Sequence, residues 1–230
     1  MPKKQLDLQP YKAKHSCLTA SSHVYDYALS TCQSVLDRFD ADTAARGVGK
    51  PNTSEQDLLR SAIVFAASGL DSCLKYAIRD SLEELIQVDD HCKAKFEEFV
   101  DRRLKNAVEG SSSARRDIAR TLVQPDPRPY WIESMIRSLV GDSLQSVDEL
   151  VKLLNTLGLS TTLKQVKDRS ARLKNVFHAR NQIIHELDVD FTKQQKRRRS
   201  RKRPEAIEAA VDLLSVARKS LEEIDLKLES

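Results

Sequence analysis

Apolar residues recur at three- and four-residue intervals along most of the chain, and no stretch alternating with period two competes with them. That pattern predicts helices. The first runs over about residues 16–39, with Leu18, Val24, Tyr27, Ala28, Val35, Leu36 and Phe39 at helical spacings. Residues 40–52 hold Gly47, Gly49 and Pro51, which break it. A wider apolar stripe fills 57–86, with Ser54 as its expected N-terminal cap. Such width suits a central helix packed by several neighbours. A third helix is expected over 93–108, a flexible loop over 109–113 and a short helix over 114–122. Three prolines in 124–129 stop that one, and another helix follows over 130–140. Ser146 and Glu149 then form a capping-box pattern ahead of Leu150, Leu153, Leu154 and Leu157, and Gly158 supplies a stop. Residues 163–187 read as helix with an interruption near Ser170. The last helix carries Pro204 in its first turn, with Ile207, Val211, Leu214, Ala217, Leu221, Ile224 and Leu228 along one face.

These elements predict an all-α fold. We expect a single helical-bundle domain over 1–230, with an inserted helical segment at 89–140, a basic loop at 193–203 and no sheet. Composition narrows the picture. The chain has 230 residues, 40% hydrophobic and 31% charged, which suits a soluble globular protein. It holds only 6 glycines, well under the usual fraction of roughly 7%, which disfavours phosphate-cradling loops and tight hairpins. Neither a P-loop nor a dinucleotide-binding glycine motif occurs. No apolar run approaches the roughly 18 residues of a membrane span, and Met1-Pro2-Lys3-Lys4 leads into no signal-type apolar region. A cytoplasmic protein without membrane partners is the expectation. Cys17, Cys32, Cys73 and Cys92 form no C-x-x-C pair, and His15, His23, His91, His178 and His185 form no H-E-x-x-H box. Free thiols, no metal and no cofactor are therefore expected.

One segment departs from the simple pattern. On a helical wheel centred on Arg180, Leu173, Leu187, Val176 and Ile184 all fall within about 40°. A guanidinium at the centre of an apolar stripe needs an acidic partner or a wet crevice, because burying it unpaired is costly. Asn181 and His185 flank the stripe, roughly 100° and 140° away. Arg180 and His185 do not share a row of a regular helix, so convergence on one substrate requires the helix to end or distort there, or a second subunit to complete the site. On the central helix Asp71 sits beside Val64, Ala67, Leu74 and Ile78 within about 60°. It is the natural counter-charge for Arg180, and a buried ion pair fixing helix packing would explain both residues equally well.

Arg180-Asn181-Gln182-Ile183-Ile184-His185 resembles the R-x4-H motif of HEPN-domain proteins. Ser61 to Leu74 resembles the helix that carries their recurring acidic residue. The order and spacing are closest to the RiboL-PSP-associated HEPN type. The resemblance implies a helical bundle that dimerises and brings two motifs together. It also implies a metal-independent endoribonuclease, of the kind found in toxin and anti-phage systems, with an antitoxin or regulatory protein as a further partner. On this chain His185 would be the acid/base for attack of the RNA 2′-hydroxyl on the adjacent phosphate. Arg180 would stabilise phosphate charge, Asn181 would position the site, and Asp71 would orient Arg180. Leu187 stands where nucleotidyltransferase-paired toxins commonly carry a Tyr, so neutralisation by modifying that position is not expected.

Charge adds one more feature. Lys193, Lys196, Arg197, Arg198, Arg199, Arg201, Lys202 and Arg203 place eight positive charges in eleven residues without an acid. The remaining 30 basic residues face 34 acidic ones, so the net charge of +4 is wholly local. Such a run attracts a phosphate backbone without reading sequence, and it could steer RNA toward His185. The same run would equally be a solvated, mobile loop. The alternatives to a nuclease are a non-catalytic helical interaction module and a general nucleic-acid-binding protein driven by these residues.

Overall fold

The computed structural model describes residues 6–110, 112–141 and 143–229. The reading of Met1 to Lys4, and Ser111 in the expected 109–113 loop, lie outside them. Among the described residues the chain forms nine α-helices and one two-stranded ladder, an all-α bundle as the periodicity predicts. A short 3₁₀ turn, Ser16–Leu18, leads into α1 (Thr19–Arg46). Next come α2 (Thr53–Val88), α3 (Asp90–Glu109), α4 (Ser112–Leu122) and α5 (Arg128–Val140). They are followed by α6 (Val147–Thr156), α7 (Ser160–Asp168) and α8 (Ser170–Glu186). The strands β1 (Val189–Asp190) and β2 (Arg197–Arg198) precede α9 (Arg203–Leu228).

α2 is the central helix. It packs against α1, α9, α3, α8 and α5, which is why its apolar stripe is so wide. Leu59, Leu70, Leu74, Ile78, Leu82 and Leu85 on it are buried. By length and composition α2 could also cross a membrane, but 56% of its most apolar window is buried inside the bundle, as in the core helix of a helical protein. Its start lies two residues earlier than Ser54 suggested. Asn52 Oδ1 accepts from the Glu55 amide at 2.9 Å while Glu55 accepts from the Asn52 amide at 2.6 Å, a complete capping box. Glu55 is buried because Arg46, on the last turn of α1, donates to it at 2.9 Å. That pair carries α1 seven residues past the expected end, to Gly47 at φ 80°. α1 and α2 approach closely at Gly69, where an added Cβ would overlap the Ala28 side chain and stand 3.3 Å from Leu214.

The 89–140 segment splits in two by its packing. α3 and α5 lie on α2, whereas α4 touches only α3 among the elements it contacts substantially. The Ser146 cap of α6 forms as expected, accepting from Glu149 N at 3.2 Å. The interruption near Ser170 is real: α7 ends at Asp168 and α8 begins at Ser170. One correction concerns the basic run. It was expected as a loop with no sheet, yet Val189 pairs with Arg198 and Asp190 with Arg197 in an antiparallel ladder. Two residues per strand are too few to show alternation, so the period could not reveal it.

Candidate functional site

α8 is buried at its start and emerges from the core as it runs. Leu173 and Phe177 are buried, Arg180 is half-buried, and Ile184 and Leu187 are 41% and 69% exposed. The apolar stripe drawn on the wheel is therefore a core face for two turns and a surface for the next two. Arg180 sits at the crossing.

This placement changes the account of its charge. Asp71 was expected to be its counter-charge. Instead Asp71 binds Lys75 Nζ at 3.0 Å and accepts from the Leu144 amide at 2.9 Å. Lys75 lies one turn along the same helix, and a local i,i+4 partner displaces a remote one. Among the described residues Arg180 has no carboxylate partner. Its Nη1 donates to Asn181 Oδ1 at 2.9 Å, and Asn181 Nδ2 reaches the Gln145 carbonyl at 3.5 Å. The remaining guanidinium donors meet no protein acceptor among the described residues.

His185 is exposed and makes no hydrogen bond among the described residues. α8 stops one residue later. The Leu187 and Asp188 amides both turn back onto the Gln182 carbonyl, with Leu187 at φ 50° and Asp188 at φ 60°. The helix ends only after His185, so Arg180 and His185 both lie within α8, about 140° apart round its axis, which leaves a second subunit as the condition for their addressing a common ligand. Gln182, between them, is held from two sides: its side chain meets His178 Nε2 at 2.8 Å and accepts from Arg201 Nη2 at 3.2 Å.

The turn is locked by a residue that the sequence pattern did not single out. Asp188 is fully buried. Arg60 Nε on α2 donates to it at 2.8 Å, and Arg201 donates through Nε at 3.0 Å and also through Nη2. Arg60 further holds Asp57 at 2.9 Å and the Arg199 carbonyl at 2.6 Å. Gln56 clasps the Arg201 backbone from both sides, at 2.7 and 3.0 Å. Arg60 did carry a signal of the kind that exposed Arg180, a guanidinium set between Leu59 and Ile63 in an apolar run. Asp188 carried none.

The basic run consequently is not a free cationic loop. Arg198 pairs with Asp57 at 2.7 Å, and Arg203 with Asp40 at 2.7 Å. Arg199 donates to the Val189 carbonyl at 2.6 Å, and Arg201 is spent on Asp188. Lys202 faces Glu205 at 3.4 Å, and Lys196 donates to the Phe191 carbonyl at 2.8 Å while lying over its ring. Arg197 is the member without a side-chain partner among the described residues. Asp190 is held by the Thr192 hydroxyl at 2.6 Å and by Lys193 at 3.2 Å, which together push its carboxyl down to about 2. Exposed charge remains at Lys193, Lys196, Arg197, Arg198 and Lys202.

Two cavities lie apart from the motif residues. One of about 300 Å³ runs between α8 and α9, walled by Arg172, Val176, Arg201, Glu205 and Asp212, without Arg180 or His185. Another, of about 210 Å³, sits in the inserted segment against Arg103, Tyr130, Trp131 and Arg137. The motif itself runs from half-buried Arg180 and Asn181 to exposed His185 at the end of α8. Comparison of the chain with protein-family models, with curated proteins and with solved structures finds no match.

Proposed function

We propose that this protein is a metal-independent endoribonuclease of the HEPN type, acting as a homodimer in the cytoplasm, in a toxin or anti-phage role. The observation that carries the reading is a half-buried Arg180 without an acidic partner, followed on the same helix by an exposed His185 whose ring makes no hydrogen bond among the described residues. A structural ion pair would have consumed Arg180, and it has no acidic partner among the described residues. In the proposed reaction the RNA 2′-oxygen attacks the adjacent phosphorus and the bond to the 5′-oxygen breaks. His185 transfers the proton, leaving a 2′,3′-cyclic phosphate and a 5′-hydroxyl. Arg180, steadied by Asn181, faces the phosphate oxygens as negative charge builds on them. Asp71 has no part in holding Arg180 in this account; it anchors α2 to the turn before α6. Lys196, Arg197 and Lys202 are among the exposed members of the basic run and would guide a phosphate backbone.

Exposed Ile184, Leu187 and Phe191 beside the motif favour an association face there, and a second subunit docking on it would bring the two motifs together. A non-catalytic interaction module would use the same face. The deciding experiment incubates purified wild type and His185→Ala with total RNA in EDTA, below the melting temperature of both, with molecular mass measured in parallel. We expect wild-type cleavage leaving cyclic-phosphate ends and a loss of about 10²–10⁴-fold in the variant, with the dimer retained in both. No cleavage by a dimeric wild type would favour the interaction module. Equal cleavage by both would remove His185 from the mechanism.

A further inference from the structure

The segment ahead of α1 is pinned to the bundle by a carboxylate from its far end. Asp225, buried on α9, accepts from the Lys14 amide at 3.0 Å, the His15 amide at 2.9 Å and the Tyr11 hydroxyl. Tyr11 N is held in turn by Asp26 at 2.9 Å. With its backbone fixed, this segment aims the side chains of His15 and Cys17 at the C-terminal part of α2, where Glu84 projects.

His15 Nδ1 lies 3.2 Å from Cys17 Sγ and 3.4 Å from Glu84 Oε2. The three donor atoms all fall within 4.8 Å of one another. Glu84 Oε2 is itself shielded from solvent and has no hydrogen-bond partner. A carboxylate oxygen left unsatisfied out of water is costly. It faces the His15 ring at 3.4 Å, and a cation held jointly by the ring nitrogen, the sulfur and this oxygen would satisfy it.

The arrangement is not that of a nucleophilic relay. In a Cys–His–acid relay the thiol and the carboxylate hold opposite nitrogens of the ring, so that a proton passes through it. Here both face the same Nδ1. Three donors converging on one point are the edges of a coordination polyhedron. Tetrahedral zinc, with bonds of about 2.0–2.3 Å, separates nitrogen from sulfur by about 3.5 Å and nitrogen from oxygen by about 3.3 Å. The observed 3.2 and 3.4 Å need little adjustment.

We propose that His15, Cys17 and Glu84 form a binding site for a zinc-class divalent transition metal, with a water as fourth ligand, that clips the amino-terminal segment to α2. Imidazole, thiolate and carboxylate together suit zinc and exclude the all-oxygen preference of magnesium and calcium. Sequence spacing hid the site, because Glu84 is 67 residues from Cys17 and no metal box spans that distance. This proposal is independent of the nuclease reading and is tested without activity.

The full chain, stripped with chelator and kept reduced, is titrated with Co²⁺ and then Zn²⁺. One equivalent of Co²⁺ should give tetrahedral visible bands and a thiolate-to-cobalt charge-transfer band in the near ultraviolet, both abolished by Zn²⁺. Zn²⁺ at about a hundredfold excess over its Kd should raise the Tm by about 5–10 °C. Cys17→Ser, a change of one atom, should lose the charge-transfer band and the Tm shift, whereas Cys92→Ser should keep both. Glu84→Gln should weaken binding by at least the roughly 10–100-fold that follows loss of an outer partner. Absence of the band in the wild type, or its survival in Cys17→Ser, overturns the proposal. The wild-type melting curve alone decides the matter should a variant fail to fold.

Discussion

Asp188 has two arginines on one buried carboxylate and a backbone at φ 60°, directly after the exposed end of α8. Asparagine tolerates that backbone and fills the same space, so Asp188→Asn isolates the charge. Arg60, 5% exposed, would then be a buried cation without its main counter-ion. We expect a loss of about 3–5 kcal/mol in urea unfolding, with the denaturant slope unchanged. A loss under about 1 kcal/mol would mean that Asp57 and the backbone carbonyl suffice for Arg60. The contrast with Arg180 shows what single residues disclose. Both arginines stand in apolar stripes. For Arg60 the anomaly meant a buried pair, and for Arg180 it marked the place where the stripe leaves the core. Which was which depended on partners 128 residues away in one case and on a neighbouring lysine in the other. No wheel of α2 contains the first, whereas the second stands on it one turn from Asp71.

Some helix boundaries with a local cause were legible. The Ser146 cap, the glycine at 158 and the break before Ser170 follow from short-range chemistry, although Glu149 closes onto the Gln145 amide instead of completing the box at Ser146. The cap of α2 is as local and was misplaced, because Asn52 with Glu55 takes the role expected of Ser54. The end of α1 moved because Arg46 binds a residue of the next helix. The basic run became a ladder because Asp40, Asp57 and Asp188 wait for it on other elements. Helix packing also hides in sequence. Gly69 reads as a blemish in a good helix, yet it is where α1 and α2 touch. Gly69→Ala gains about 1 kcal/mol of helix propensity and forces an overlap worth typically 1–3 kcal/mol. We expect a net loss of up to about 2 kcal/mol by chemical denaturation. Adding Ala28→Gly should recover part of it, a coupling that a double-mutant cycle measures. Strictly additive effects would show that the contact is not the cause.

For the molecule as a whole, helical content and a central α2 were open to the sequence, because periodicity is a property of each segment alone. The division of labour between the segments was not. α2 and α9 bury most of their apolar residues, whereas α4 packs mainly on α3. Native-state hydrogen exchange should therefore find the slowest amides in α2 and α9, and α4 opening well before global unfolding. Equal protection in α4 would show that the inserted segment folds as one unit with the bundle. The latch between Arg60 and Asp188 closes a loop of 128 residues, and α3 to α5 make up about 50 of them. Closure entropy grows only with the logarithm of loop length, so lengthening the loop by that segment costs about 0.4 kcal/mol. Chain statistics thus leave the fold nearly indifferent to how much polypeptide is threaded between its two halves. What would be felt on removing the segment is the bare flank of α2 that α3 and α5 now cover, and a replacement of any length that covers that flank would let the bundle close as before.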